Sequence, residues 1–454
     1  MFEPARLIRG AYTLLFTIFI PVILLRLLWR SRKNPGYRSR WGERFGRFEA
    51  LPPERQGGIW VHAVSVGEAI AAVPLIRQLL KTYPEKTITV TCTTPTGSAQ
   101  IKRLFQDSVF HVYFPFDLPF CLKGFLKRVK PGLWIILETE LWPNALSMAK
   151  KRALPVIIAN ARLSQKSFEG YRRFKTLLKS MMHCITTVAA QSKMDGDRYL
   201  ALGLPASNLV VTGNIKFDIS LPEGLEAKAA ILRESWGSNR LVWIAASTHE
   251  GEEAQVLEAF KMLLTHFPDL LLILVPRHPE RFQTVADLVR SQGLPLALRS
   301  RQDPVTADTA VYVGDTLGDM MLLYSVSTFA FVGGSLVPVG GHNTLEPAVL
   351  GIPAVVGPYV HNFVEITALL KQAGALDQVI DKEALVKTIL YWIHHPNSRI
   401  QAGKKGQEVV LQNRGAVDKL LTIIKNTLPE RHAAEGDTLV EEVESQEKIT
   451  VAPV

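Results

Sequence analysis

Several short runs of this chain place acids and bases where they can react. The run His62-Ala63-Val64-Ser65-Val66-Gly67-Glu68 follows an apolar stretch of strand character. In open α/β sheets ligands gather beyond the carboxyl ends of strands, so a carboxylate at Glu68 can act there as general base toward a hydroxyl. A glutamate in a first helical turn also complements the helix dipole, and position alone does not separate the two roles. The run Leu137-Glu138-Thr139-Glu140-Leu141-Trp142-Pro143-Asn144 sets two acids after a second apolar stretch. They can hold a cation, a basic side chain or substrate hydroxyls, or they can cap a helix. Lys216, in Gly213-Asn214-Ile215-Lys216-Phe217-Asp218, can face phosphate or simply be solvated.

The second half carries a different chemistry. Pro276-Arg277-His278-Pro279 follows a strongly apolar run and places Arg277 where a fixed cation can grip phosphate. Gly314-Asp315-Thr316-Leu317-Gly318-Asp319 reads as strand, turn and helix start. Gly333-Gly334-Ser335 and Gly340-Gly341-His342-Asn343-Thr344-Leu345-Glu346-Pro347 add glycine-rich turns. Backbone amides at such turns suit an anionic ligand, and Glu346 can accept ribose hydroxyls. No Gly-x-Gly-x-x-Gly or Walker loop is present, and no histidine and carboxylate cluster has metal-ligand spacing, so no metal site is expected.

These runs need strands to hold them. A chain of 454 residues exceeds the size of one hydrophobic core, so two globular domains are expected. From Gly58 onward, short β-rich apolar runs alternate with segments of helical period, as in parallel α/β sheets. Ile59 to Val64, Thr87 to Thr91, Val109 to Phe114, Leu133 to Leu137 and Val156 to Ala159 read as strands of the first half. Val242 to Ala246, Leu271 to Pro276, Val311 to Gly314, Thr328 to Val332 and Ala354 to Val356 read as those of the second. Both halves open alike, with a strand leading through a Ser-containing turn into a Gly-Glu pair. Two Rossmann-like lobes are expected, divided near Phe217 to Ser238. The assignment is residues 1–33 as anchor and basic flank, 34–216 and 217–429 as the lobes, and 430–454 as an acidic disordered tail.

The net charge of +10 concentrates near the N-terminus. Arg26, Arg30, Arg32, Lys33, Arg38 and Arg40 follow an uncharged apolar stretch from Gly10 to Leu25. Aromatic and basic residues do not alternate as in a nucleic-acid groove, which favours a membrane and no nucleic acid. The stretch suffices for a helix of about 20 residues, or roughly 30 Å, and no small-residue cleavage site follows it. An uncleaved anchor crossing the bilayer is expected, with the bulk of the chain on the cytoplasmic side. An amphipathic helix lying in the interface or packed on the protein is the alternative. Cys92, Cys121 and Cys184, odd in number and without metal or disulfide spacing, agree with a reducing compartment.

Taken together, the chain resembles the bacterial Kdo transferases, which add 3-deoxy-D-manno-octulosonic acid to lipid A precursors. The segments that carry the likeness are Tyr37-Arg38-Ser39-Arg40-Trp41-Gly42-Glu43-Arg44-Phe45-Gly46, Ser65-Val66-Gly67-Glu68, Glu138-Thr139-Glu140-Leu141-Trp142-Pro143-Asn144, Ala159-Asn160-Ala161-Arg162 and Val332-Gly333-Gly334-Ser335. The resemblance implies the two-lobed GT-B fold, with an acceptor-binding first lobe and a CMP-sugar-binding second lobe. It also implies an inverting transferase at the inner membrane that takes CMP-Kdo as donor and a lipid A precursor, lipid IVA, as acceptor, without metal or cofactor. Glu68 would be the catalytic base, with Glu138 and Lys216 as transition-state stabilisers. Nucleotide contacts would fall on Pro276, Arg277, Leu317, Gly318, Asp319, Asn343, Thr344, Leu345 and Glu346. A GT-B enzyme using a UDP- or ADP-sugar is the nearest alternative, and a tethered nucleotide-binding protein without turnover the remoter one. Oligomeric state stays open.

Overall fold

The computed structural model describes residues 3–428; the segment 430–454, read as a disordered tail, lies outside the described residues. Two parallel sheets form two lobes. The first contains β1 (Ile59–His62), β2 (Ile88–Cys92), β3 (Phe110–Tyr113), β4 (Leu133–Leu137), β5 (Val156–Ala161), β6 (Thr187–Ala190) and β7 (Leu209–Val211), in the order β3-β2-β1-β4-β5-β6-β7. The second contains β8 (Val242–Thr248), β9 (Leu271–Pro276), β10 (Leu296–Leu298), β11 (Val311–Val313), β12 (Phe329–Val332), β13 (Ala354–Val356) and β14 (Leu376–Gln378), in the order β10-β11-β9-β8-β12-β13-β14. The central strands are buried residue by residue, because helices cover both faces, and so their sequences are continuously apolar. Across the β1–β4 register, Trp60 stacks on Trp134 with centroids 4.2 Å apart.

Strand order reverses between β1 and β4 in the first sheet, and between β8 and β12 in the second. The carboxyl ends of those strands are where such sheets bind ligands. Glu68 follows β1 and Glu138 follows β4, so both flank the first switch point. His249 and Glu252 follow β8 and Gly333-Gly334-Ser335 follows β12, flanking the second.

The chain crosses between lobes twice. Ile215 belongs to the first lobe's core and Phe217 to the second's. The assignment of 217–429 to one lobe needs correction at its end: the helix Ala416–Thr427 packs back on the first lobe, placing Ala416, Val417, Leu420 and Ile424 in its core. Asp218 ties the crossings together, its carboxylate accepting from Gly415 N at 2.6 Å and Val417 N at 2.7 Å. Arg414 adds a bond to the Ile219 carbonyl at 2.8 Å.

The N-terminal helix, Glu3–Arg30, runs unbroken through Pro21. Instead of standing free, it is seated along the first lobe. Ala5 and Ser31 are buried, and Arg9, Tyr12, Thr13, Phe16, Ile20, Ile23, Leu24 and Leu27 are half-buried, a stripe at helical spacing over its whole length. Arg9 donates to Ser147, Thr13 exchanges hydrogen bonds with Asn144, Phe16 meets Phe116, and Ser31 accepts from Arg38 at 2.6 Å.

Asp218→Ala leaves two backbone N–H groups at the crossover without their acceptor. A loss of about 1–3 kcal/mol is expected in urea unfolding; unchanged stability would show that the tie contributes nothing.

Candidate active site

Ser65 ends the extended segment after β1 and caps the helix Val66–Ala71, its hydroxyl accepting from Glu68 N at 3.3 Å. Glu68 reaches back: one carboxylate oxygen accepts from Val64 N at 2.8 Å, and the other from the Ser65 hydroxyl at 3.1 Å. Glu68 therefore braces the helix start while sitting at the switch point. Burial pushes its carboxyl up to about 7; the charge of Glu138 adds to this, while Val64, Ser65 and Lys216 pull the other way.

Glu138 lies just past β4 with φ +57°, a left-handed conformation unusual for a residue other than glycine. Lys216 approaches it with Nζ 3.8 Å from Oε1. Lys216 is set by a short 3-10 turn, Ile215–Phe217, pinned at Ile215 N by the Asn160 side chain at 3.1 Å and at Lys216 N by the Asn214 side chain at 3.0 Å. Asn160 too has positive φ, +55°, near the end of β5. Glu140 joins the group, its carboxyl raised to about 7 by burial and by the charges of Glu68 and Glu138. The structure thus gathers Glu68, Glu138, Glu140 and Lys216. His62, beside them in sequence, is a core residue: its Nδ1 meets the Thr91 hydroxyl at 2.9 Å, and burial lowers it to about 3.

In the second lobe Arg277 N donates to the Thr248 carbonyl at 3.0 Å, fixing the residue beyond β9. Glu346 is raised by burial, against the pull of its hydrogen bond from Asn343 (3.2 Å) and of the Arg277 charge, which places Arg277, Asn343 and Glu346 in one neighbourhood. The Thr344 hydroxyl is buried and without a partner. Leu317 is exposed and Gly318 has φ +99°. The Asp319 carboxylate is already engaged, by Thr316 at 2.7 Å and Arg299 at 3.0 Å. Burial opposes its charge, yet those partners hold it below its ordinary value. Thr316 and Asp319 line a cavity of about 580 Å³ with Arg299, Ser300 and Tyr312. Among the described residues, no hydrogen bond or ion pair joins this group to the carboxylates of the first lobe. An exposed ion pair, Arg162 with Glu365 at 2.8 Å, bridges the lobes.

One expectation changes. The amides of Gly334, Ser335 and Leu336 already have an anion, because Glu252 accepts from them at 2.6, 2.9 and 2.8 Å and from His249 N at 3.0 Å. That loop is braced by the protein's own carboxylate. Sequence reading also missed the pair His249 and His342, stacked with Nε2 atoms 2.8 Å apart; burial depresses both, His342 to about 3. The Ser65-x-x-Glu68 spacing of a capping box was the one available signal for Glu68's second role. The histidines, 93 positions apart, left none.

Residues 39–219 match the family model described as 3-Deoxy-D-manno-octulosonic-acid transferase (kdotransferase). Over 420 residues the chain is 44% identical to a 3-deoxy-D-manno-octulosonic acid transferase from Haemophilus influenzae, covering 92% of this chain and 98% of that one. The C-terminal CMP-Kdo binding domain of WaaA from Acinetobacter baumannii is 38% identical, with a TM-score of 0.41, covering 42% of this chain and 99% of that domain. A UDP-GlcNAc 2-epimerase from Neisseria meningitidis superposes with a TM-score of 0.53 at 14% identity, over 81% of this chain and 100% of that one, a likeness of fold alone.

Glu140 makes a pH test possible. Its carboxyl is raised from 4.5 to about 7 in the folded chain, so the protonated form is favoured by folding. The stability it contributes is full below 4.5 and is lost as pH rises through 7. Glu140→Gln should therefore flatten the decline in unfolding free energy between pH 5 and 8, leaving the part due to Glu68. An unaltered slope in urea titrations would contradict the burial of this carboxyl.

Proposed function

Since the chain belongs to the 3-deoxy-D-manno-octulosonic acid transferase family and is a glycosyltransferase of lipopolysaccharide biosynthesis, we propose that it moves Kdo from CMP-Kdo onto lipid IVA with Glu68 as general base. The observation that carries this reading is the carboxyl of Glu68, held near 7 at the β1–β4 switch point. A base with that affinity is ionised in a large fraction of molecules at neutral pH and still binds a proton well.

The acceptor hydroxyl gives its proton to Glu68 as its oxygen bonds to the anomeric carbon of Kdo from the face opposite CMP. The bond from that carbon to the phosphate oxygen breaks, and the electron pair leaves with CMP. Negative charge gathers on the departing phosphate. Lys216, steadied by Glu138, and Arg277 supply fixed positive charge to stabilise it, which is the larger share of catalysis in such sites. Arg277 can bond phosphate in a fork; Asn343 and Glu346 offer polar partners to the ribose, and the turn at Leu317–Asp319 offers backbone groups. The mechanism calls for no metal, since side-chain cations meet the phosphate. Two lobes joined by a tied crossover can close over the donor and exclude water. The apolar outer face of the N-terminal helix, with Leu14, Ile18, Val22, Leu25 and Trp29 exposed, supports seating on the membrane that holds the acceptor.

Glu68→Gln keeps shape but cannot take the proton, so turnover should fall about 10²- to 10⁴-fold while CMP affinity holds. Near-normal transfer of radiolabelled Kdo would refute the assignment, and lost CMP binding with a lowered unfolding midpoint would reduce Glu68 to a helix brace. Arg277→Ala should weaken CMP binding about 10- to 150-fold by calorimetry, the effect of one charge-assisted hydrogen bond. Unchanged affinity would remove Arg277 from the donor site.

A further inference from the structure

The seating of the N-terminal helix constrains how this enzyme can meet a bilayer. A helix of 28 residues is about 42 Å long, enough to cross the hydrocarbon layer. Its half-buried stripe, however, runs from Ala5 to Leu27, and Arg9, Thr13 and Phe16 in its first half meet Ser147, Asn144 and Phe116 of the lobe, while at its end Ser31 bonds Arg38 in the segment that leads back into the lobe. The lobe surface beside it is charged. The helix Lys175–Met182, which touches the N-terminal helix, and the turn that leads into it expose Arg172, Arg173 and Lys175 around an exposed Phe174. A helix docked lengthwise on such a surface cannot cross the bilayer without carrying those cations into hydrocarbon, at a cost of several kcal/mol each. The opposite face of the helix is uncovered from Leu7 to Trp29 and apolar except at Arg26, whose long side chain can reach the headgroups.

We propose that this helix is an in-plane anchor, its outer face sunk into one leaflet while Arg172, Arg173 and Lys175, around Phe174, meet anionic headgroups. The inference rests on the membrane seating proposed above and specifies its geometry. Basic residues flank the helix at both ends as well, with Arg6 exposed at one and Arg30, Arg32 and Lys33 at the other, which suits a helix lying along a headgroup plane. The docked face also fixes the height of the active site. Thr13 bonds Asn144, at the start of the helix that follows Glu140, so the leaflet surface runs beside the loop carrying Glu138 and Glu140. An acceptor sugar at headgroup level can meet the cleft while its acyl chains stay in the membrane.

The test uses the full chain in a Cys184→Ser background, with Leu15→Cys, Val22→Cys or Leu25→Cys each carrying a fluorophore. Each variant is bound to phosphatidylglycerol–phosphatidylethanolamine vesicles containing nitroxide lipids of graded depth. An in-plane helix puts all three reporters at one shallow depth, about 5–10 Å below the headgroups. A spanning helix separates Leu15 from Leu25 by about 15 Å, with one near the midplane; that result would overturn the in-plane anchor and leave membrane seating intact. Absence of quenching at all three would overturn both. Replacing Arg172, Arg173 and Lys175 by serine should weaken partitioning onto these vesicles about 100-fold and leave neutral vesicles unaffected. An equal affinity for anionic vesicles would overturn the headgroup contact.

Discussion

Three carboxyl groups, those of Glu68, Glu138 and Glu140, share a partly buried corner at the ends of β1 and β4, and like charges there cannot all ionise freely. Much of the first lobe is arranged around that repulsion. Protons are retained on Glu68 and Glu140 to about neutral pH, and Lys216 is brought to Glu138. Lys216 stays there because two asparagine side chains pin its turn, one of them on a residue whose own backbone is left-handed. Non-glycine residues with positive φ recur at strand ends of the site, at Glu138, Asn160 and Ser247, at a cost of order 1 kcal/mol each. The packing of both sheets maintains this strain at strand ends that carry or support the site.

The two lobes use the same opening device for opposite ends. After β1, Glu68 sits in the first turn of a helix, half-buried, with its carboxyl bonded to one backbone amide and one hydroxyl. After β8, Glu252 takes the corresponding place, fully buried, with four backbone amides on its carboxylate. The second is saturated and acts as a brace for the loop after β12. The first has spare capacity and a raised proton affinity, which are the properties a base needs. This asymmetry matches a division in which one lobe handles the attacking hydroxyl and the other the nucleotide.

The strands most legible in the sequence were those buried on both faces, such as Leu133–Leu137 and Leu271–Pro276, because unbroken apolar runs admit little else. Strands of three or four residues near the sheet edges, Thr187–Ala190, Leu209–Val211, Leu296–Leu298 and Leu376–Gln378, escaped: runs so short show no period, and none of these is buried at every position, unlike the equally short Val311–Val313 and Ala354–Val356. The helical stretch after β1 divides at Ala72, just ahead of Pro74, into Val66–Ala71 and Val73–Thr82. Glu68 and Glu138 stood out in sequence by type and position after strands, and Lys216 by its place near the lobe junction, but their mutual contact depends on strand order, which spacing does not encode. The docking of the N-terminal helix was hidden for a simpler reason: hydropathy scores the inner and outer stripes alike. Only Tyr12 and Thr13, polar groups at the start of the apolar run, and Arg9 just ahead of it hinted at a protein-facing side.

The central claim is that Glu68 is a base tuned by its charged neighbours, and the pH dependence of kcat/KM reads this most directly. In the wild-type enzyme the acid limb should fall near pH 7, the position to which burial and Glu138 raise Glu68. Glu138→Gln removes a negative charge and should move that limb to lower pH, whereas Lys216→Met removes a positive charge and should move it higher, whatever each change does to the maximal rate. Limbs that coincide in all three enzymes would contradict the account, since the group controlling the rate would then lie outside the field of Glu138 and Lys216.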